Sequence, residues 1–247
     1  MERLSIASFL ANGHPYHLFV YDDVRHIPAG AIVEDANAVL PASMIFKYRD
    51  VDSYAGFSNY FRYKLLLERG GWWVDTDIVC LRPFDFEDDY VFASEINNWG
   101  AEVITSGVIK APPGSPVMEF AWETCLLKDP QEIQWGETGP RLMQEAVAKF
   151  HLEDFRKPYP TFCPVIHPRW RSVLEADTNP ALSDDAYAIH LWNELWRRAG
   201  QDKNGVYPAS SLYEQLKRRI SFGRSPGDSA PADHFRWQEQ LPFELQT

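Results

Sequence analysis

The stretch from residue 54 to residue 79 constrains this chain more than any other. Phe57, Phe61 and Leu65 recur at i, i+4 and i+8, so they share one face of a helix predicted over 54–69. Asp52 or Ser53 is placed to cap its start. Gly70-Gly71 stops it, as glycine does just past a helix end. Trp72 to Val79 then reads as a strand, closed by Arg82-Pro83. A helix, a two-glycine turn and a strand returning beside the helix form one α/β unit, and the rest of the chain continues the alternation. Helices are expected over 2–11, 115–127, 138–150 and 212–220, and strands over 16–21, 31–34, 90–94, 103–110 and 187–191.

The predicted strand 72–79 carries the chemistry. Side chains alternate across a strand, so Trp73, Asp75, Asp77 and Val79 are expected on one face. Two carboxylates then point the same way in an otherwise apolar segment. Burying two like charges is costly, and their repulsion raises one pKa. A divalent cation such as Mg²⁺ or Mn²⁺ removes both problems, because these hard ions take carboxylate, water and phosphate oxygens. The bland alternative is that both aspartates sit solvated at an exposed strand end. On the preceding helix Ser58 and Asn59 lie four and three residues before Arg62, so the three are neighbours. Arg62 can reach a sugar hydroxyl or a phosphate, or else pair with a nearby acid. The net charge of −11 argues against nucleic acid as a partner. It also means that an anionic ligand needs a locally placed metal or arginine.

The segment from Phe57 to Phe84, FSNYFRYKLLLERGGWWVDTDIVCLRPF, resembles the glycosyltransferases with a DXD-containing sugar-binding region, of the mannosyl and α-1,4-galactosyltransferase type. Downstream, TSGVIKAPPGSP at 105–116, Thr138-Gly139-Pro140 and HLWNELW at 190–196 are similar to later elements of that family. The resemblance extends over residues 4–200. It implies a GT-A-like, Rossmann-like mixed sheet flanked by helices, a nucleotide-sugar donor (UDP or GDP), Mn²⁺ or Mg²⁺, a glycan or lipid-linked acceptor, and transfer with retention of configuration. By position it implies that Asp75 and Asp77 bind the metal and the donor's ribose or sugar, and that Arg62 holds the donor sugar. Ser58 and Asn59 would join Arg62 in substrate binding, and Trp73 would pack on the donor. His190 is implied as a late metal ligand, and Asn193 and Trp196 as closing over the diphosphate or acceptor. Two departures stand out. Asn59 occupies a position where the family usually has aspartate. The family also begins with a further strand and loop that bind the base, so the first strand of the sheet is expected to be missing here.

Two other readings use the same residues. Asp75-Thr76-Asp77-Ile78-Val79 also fits the start of haloacid-dehalogenase phosphatases, in which the first aspartate is a nucleophile. A catalytically impaired nucleotide-sugar binder is the other. Cys80, Cys125 and Cys163 are an odd number with no C-x-x-C, which reads as small apolar residues in a reducing compartment. No long apolar run or signal segment is seen, so a cytoplasmic placement is expected. Lys217, Arg218, Arg219 and Arg224 offer a peripheral contact at the inner membrane face, against the blander role of a solvated helix face. The expected organisation is a GT-A domain over 1–220 and a Gly-, Ser- and Pro-rich tail over 221–247.

Overall fold

A computed structural model describes residues 1–178 and 182–222. The tail beyond 222, and Arg224 with it, lies outside the described residues. The chain opens with α1 (Glu2–Ala11), followed by β1 (His17–Val20) and β2 (Ile32–Asp35). Then come α2 (Ala55–Arg69), β3 (Gly71–Val74), β4 (Ile78–Cys80), β5 (Val91–Ile96) and β6 (Glu102–Ala111). The last elements are α3 (Pro116–Leu126), α4 (Leu142–Lys149), β7 (Ala188–His190), α5 (Asn193–Arg198) and α6 (Leu212–Phe222). This is the α/β class that the alternation predicts. Among the described residues, strand pairing is divided among three small sheets: parallel β1-β2, antiparallel β3-β6-β5, and antiparallel β4-β7.

The helix predicted over 54–69 is α2, and Phe57, Phe61 and Leu65 are buried on it. Tyr60, Tyr63 and Leu66 are buried too, because α3 and β6 cover its other flank. Phe19 and Tyr21, at the end of β1, pack on Phe61 and Phe57 with ring centroids 5.6 and 5.9 Å apart. The cap differs from expectation. Asp52 pairs with Lys47 instead, the cap position is Tyr54, and Ser53 Oγ accepts from the N–H of Ala55, the first residue of α2, at 3.3 Å. Gly70 ends α2 at φ +65°, and a Cβ there would lie 2.5 Å from the ring of Pro113. Only glycine allows this turn.

The single strand predicted over 72–79 is two strands. β3 pairs with β6, with Trp73 opposite Ile109 and Val74 opposite Val108, and the Asp75 N–H extends the ladder to Gly107 O at 2.8 Å. A tight turn follows, closed by Ile78 N–H to Asp75 O at 3.0 Å. β4 then pairs with β7, with Ile78 opposite His190. One straight strand cannot serve β6 and β7 at once, so the chain turns at Asp75-Thr76-Asp77.

The outer edge of β4 shows how α1 is used. In an antiparallel pair a residue's N–H and C=O point to the same side. Asp77 O, Leu191 N–H, Leu81 N–H and Tyr187 O bond across β4-β7, so Ile78 and Cys80 present their groups to the other side. Those four groups are all satisfied. Ile78 N–H closes the turn, and Ile78 O accepts from Ser5 Oγ at 2.6 Å. Cys80 N–H donates to Ser8 Oγ at 2.8 Å, and Cys80 O accepts from Asn12 Nδ2 at 3.3 Å. Ser5, Ser8 and Asn12 stand three and four residues apart on one helix face, so α1 serves β4 in place of a neighbouring strand. Ser8→Ala leaves the buried Cys80 N–H without its partner. We expect a loss of about 1–3 kcal/mol in urea unfolding, against a much smaller change for the exposed Ser43→Ala.

Candidate active site

The turn between β3 and β4 brings the two aspartates into the protein, and each has a cationic partner from a different element. Asp75 Oδ1 lies 3.1 Å from Arg62 Nη2 and accepts from Trp73 Nε1 at 2.8 Å. Asp77 Oδ2 lies 3.2 Å from His190 Nε2 and accepts from the Asn193 N–H at 2.8 Å. Burial, reinforced by the neighbouring Asp77, pushes Asp75 above the ordinary carboxylate value, against the pull of Arg62. Burial also opposes the Asp77 charge, but the His190 imidazole and the Asn193 N–H hold that carboxyl below its ordinary value. His190 is raised well above the usual histidine value by Asp77, despite its own burial.

Arg62 is 3% exposed. Its Nη1 donates to Ser106 O, its Nη2 to Ser58 Oγ at 3.0 Å, and its Nε approaches Ser58 O at 3.3 Å. The guanidinium also stands over the Trp73 ring at 4.9 Å. Of the two roles read from the sequence, the structure has the ion pair with a neighbouring acid, and the hydrogen-bonding fork of Arg62 is spent inside the protein. Asn59 is 5% exposed; its Nδ2 donates to Thr138 Oγ1 at 3.2 Å, and its Oδ1 accepts from Ser106 Oγ at 3.5 Å. It braces α2 against the turn at Glu137–Arg141 and does not present its amide to a ligand.

Trp196 departs furthest from its expected role. It is 1% exposed, donates Nε1–H to Leu191 O at 2.6 Å, and packs among Trp170, Tyr207 and Tyr213. A side chain so placed cannot close over a diphosphate or an acceptor. Asn193 contributes its backbone N–H, at the first residue of α5. Trp192 makes that possible. It adopts φ +60°, an uncommon conformation for a bulky residue, and so aims the following N–H at Asp77. Its ring stacks on His190 at 4.0 Å, and its Nε1 is held by Val165 O. No local pattern marks Trp192 for this left-handed backbone. Gly107 was equally silent: a Cβ there would stand 3.3 Å from Asp75 Oδ2, so a side chain would press on the carboxylate.

Trp73, Ser58 and Thr76 border a cavity of about 610 Å³. Its walls come from Phe9 and Tyr16 near α1, Phe57 and Phe61 on α2, and Trp72 on β3. It is thus an aromatic chamber that borders the aspartate turn through Val74 and Thr76, with the two carboxylates themselves outside its walls. Among the described residues, no three His, Cys, Asp or Glu side chains converge as a ready-made metal cage.

Comparison with known proteins matches residues 18–103 to the family described as "Glycosyltransferase sugar-binding region containing DXD motif". This stretch holds Ser58, Asn59, Arg62, Trp73, Asp75 and Asp77, whereas Thr138, His190 and Asn193 lie beyond it. The human alpha-1,4-N-acetylglucosaminyltransferase is 27% identical over 180 residues, covering 66% of this chain and 48% of the relative. The chain therefore spans about half the length of that curated relative. Among solved structures, the PaToxG glycosyltransferase overlaps 60% of this chain and 62% of its own at 13% identity, with a TM-score of 0.44. Residues 18–103 are similar to a glycosyltransferase sugar-binding region containing a DXD motif, the same resemblance that the residues themselves carry.

Two outcomes follow from the paired charges. Arg62→Lys keeps a positive charge but loses the planar fork that reaches Ser58, Ser106 and Asp75 together, and it should lower stability by about 2–3 kcal/mol. Arg62→Met strands the Asp75 charge and should cost about 3–5 kcal/mol; both are read by urea unfolding. The second outcome concerns pH. Asp77, lowered from 3.8, contributes stability that is present above that value and lost as pH falls through its lowered one. His190, raised from 6.5, contributes stability that is present below 6.5 and lost as pH rises through its raised value. With divalent ions chelated, the stability difference between the wild type and His190→Gln should peak at about pH 5–6 and shrink in alkali. A difference that is flat with pH would contradict the pairing.

Proposed function

We propose that this chain is a metal-dependent glycosyltransferase that takes a sugar from a nucleotide-sugar donor and passes it to a hydroxyl of a glycan or lipid-linked acceptor. The observation that carries the reading is the junction of an aromatic chamber with two paired carboxylates inside a DXD sugar-binding region. Trp73, Phe57 and Phe61 offer flat apolar faces suited to a nucleoside, and Ser58 and Thr76 line the chamber as hydroxyl partners.

The donor set fits a hard divalent cation. Asp75 Oδ1 and Asp77 Oδ2 are engaged by protein donors, which leaves Asp75 Oδ2 and Asp77 Oδ1 for an ion. Mg²⁺-like ions need only one or two carboxylates when water and a diphosphate complete the shell, so a preformed cage is not required. When bound, the cation supplies Lewis-acid stabilisation of the departing diphosphate. His190 donates to Asp77 as placed, so its role in this reading is to fix that carboxylate; ligation through Nε2 would require giving up that proton. Arg62 acts through Asp75, fixing a carboxylate that would hold the ion. Retention of configuration and a UDP or GDP donor remain part of the proposal, carried by the family resemblance.

A second reading, a sugar-nucleotide binder with impaired turnover, is favoured by the inward-facing Asn59 amide. A thermal-shift screen with UDP- and GDP-sugars, with and without Mn²⁺, tests both. A donor at about 100 times its Kd adds about 2.7 kcal/mol, a shift of roughly 5–10 °C for a chain of this size. The shift should need both metal and nucleotide and should vanish in Asp77→Asn. Donor binding with neither hydrolysis nor transfer would select the second reading, and no shift with any donor would overturn both.

A further inference from the structure

Among the described residues, β1 and β3 each have one partner strand and one free edge, and both free edges border the aromatic chamber. Along a strand, alternate residues turn N–H and C=O to opposite sides. Ile32 N–H bonds to Tyr16 O at 2.8 Å, so Tyr16, Leu18 and Val20 serve β2, while His17 and Phe19 point the other way. Asp75 N–H bonds to Gly107 O at 2.8 Å, so Gly71 and Trp73 serve β6, while Trp72 and Val74 point away from it. Among the described residues, the backbone groups of His17, Phe19, Trp72 and Val74 have no hydrogen-bond partner. All four residues line the chamber.

The two edges are level and run the same way. Phe19 and Trp73 both pack on Phe61 of α2, with ring centroids 5.6 and 6.2 Å away. β1 passes from Phe19, beside Arg69, to Tyr21, beside Phe57. β3 passes from Gly71, next to the end of α2, to Asp75, beside Arg62. Both therefore run back along α2 toward its start. The faces are closed as well. Side chains alternate across a strand, so Phe19 and Trp73 face α2 while Tyr16 and Trp72 face the other way. On that side Phe9 of α1 packs on Tyr16 and Phe84, with centroids 5.8 and 5.3 Å apart, and Phe84 packs on Trp72 at 5.0 Å. The chamber is thus bounded by a strand edge on either side and by an aromatic layer above and below.

We propose that the space between β1 and β3 is a strand-insertion slot, and that its occupant is an extended apolar peptide that pairs with His17 and Phe19 on one side and with Trp72 and Val74 on the other. Backbone groups repeating every second residue along both edges call for a backbone to answer them, as in strand addition. Apolar layers on both faces call for consecutive apolar residues, since a strand buried on both faces has no polar side. Residues 223–247 contain no run of four apolar residues, so the occupant is assigned to a separate peptide partner. The inference goes beyond the glycosyltransferase reading and does not depend on it.

The test follows amide hydrogen exchange of the full chain with a synthetic peptide of alternating Val and Ile flanked by lysines. A second peptide is N-methylated at alternate apolar residues, which keeps the side chains and removes N–H donors. In the free protein the His17, Phe19, Trp72 and Val74 amides should exchange quickly. The unmodified peptide should slow all four at least about tenfold, and the N-methylated one should bind at least about tenfold more weakly. His17→Pro and Val74→Pro each remove an outward N–H that has no partner in the folded chain, as proline does at a free edge. Each should weaken the unmodified peptide about tenfold, with thermal unfolding reporting that the variant is folded. Equal binding of the two peptides, or no protection of the four amides, overturns the inference. Protection at Val33 and Asp35, on the outer edge of β2, overturns it as well. Protection present before peptide is added, or growing with protein concentration, gives the slot to the chain itself or to a second copy and also overturns it. Donor binding is read separately, by the metal-dependent thermal shift, so failure here leaves the glycosyltransferase reading standing.

Discussion

Everything near the site depends on neutralising two carboxylates placed two residues apart. Neither Asp75 nor Asp77 could be held inside the protein alone, because an unpaired buried charge costs more than most single interactions return. Arg62 answers one from α2, and His190 answers the other from β7. The two strands around the turn are thereby tied to different neighbours. β3 goes with β6, whose Ser106 carbonyl also receives Arg62, and β4 goes with β7, which carries His190. The turn is where charge pairing and strand pairing meet.

That division explains the positions of the remaining parts. The Asn193 N–H reaches Asp77 only because Trp192 accepts a left-handed backbone, a strain offset by its stacking on His190 and its bond to Val165 O. Gly107 lets the Asp75 carboxylate lie close against β6, where a Cβ would come within 3.3 Å of Oδ2. α1 turns three polar side chains onto β4, which satisfies an edge that would otherwise stay open. The aromatic chamber then lies between β1, α2 and β3, with the aspartate turn at its border.

Several sequence expectations failed for one reason. Alternation put Asp75 and Asp77 on one face of one strand, but alternation is a local rule and the strand has two different partners. Helical spacing correctly made Ser58, Asn59 and Arg62 neighbours, yet it could not say that Asn59 and Arg62 face inward, since that depends on β6 and Thr138 packing against them. Trp196 looked available because tryptophan often serves binding sites; the packing of Trp170, Tyr207 and Tyr213 around it decides that it serves the core.

The sequence by itself determined the α/β alternation, the helix that stops at Gly70, the aspartate pair as the chemical centre, and the cysteines as buried apolar residues, free in the structure. These rest on short-range rules: helical and strand periodicity, glycine's freedom, and the cost of like charges side by side. The DXD resemblance was legible for the same reason, since its elements are contiguous. Tertiary structure alone decided which cation serves which carboxylate, where the strand breaks, and which polar side chains look inward. Each of those depends on residues 13 to 116 positions apart along the chain, as in Arg62 with Asp75 and Asp77 with Asn193. Most such contacts are fixed by packing between elements, and no local pattern encodes which elements will meet.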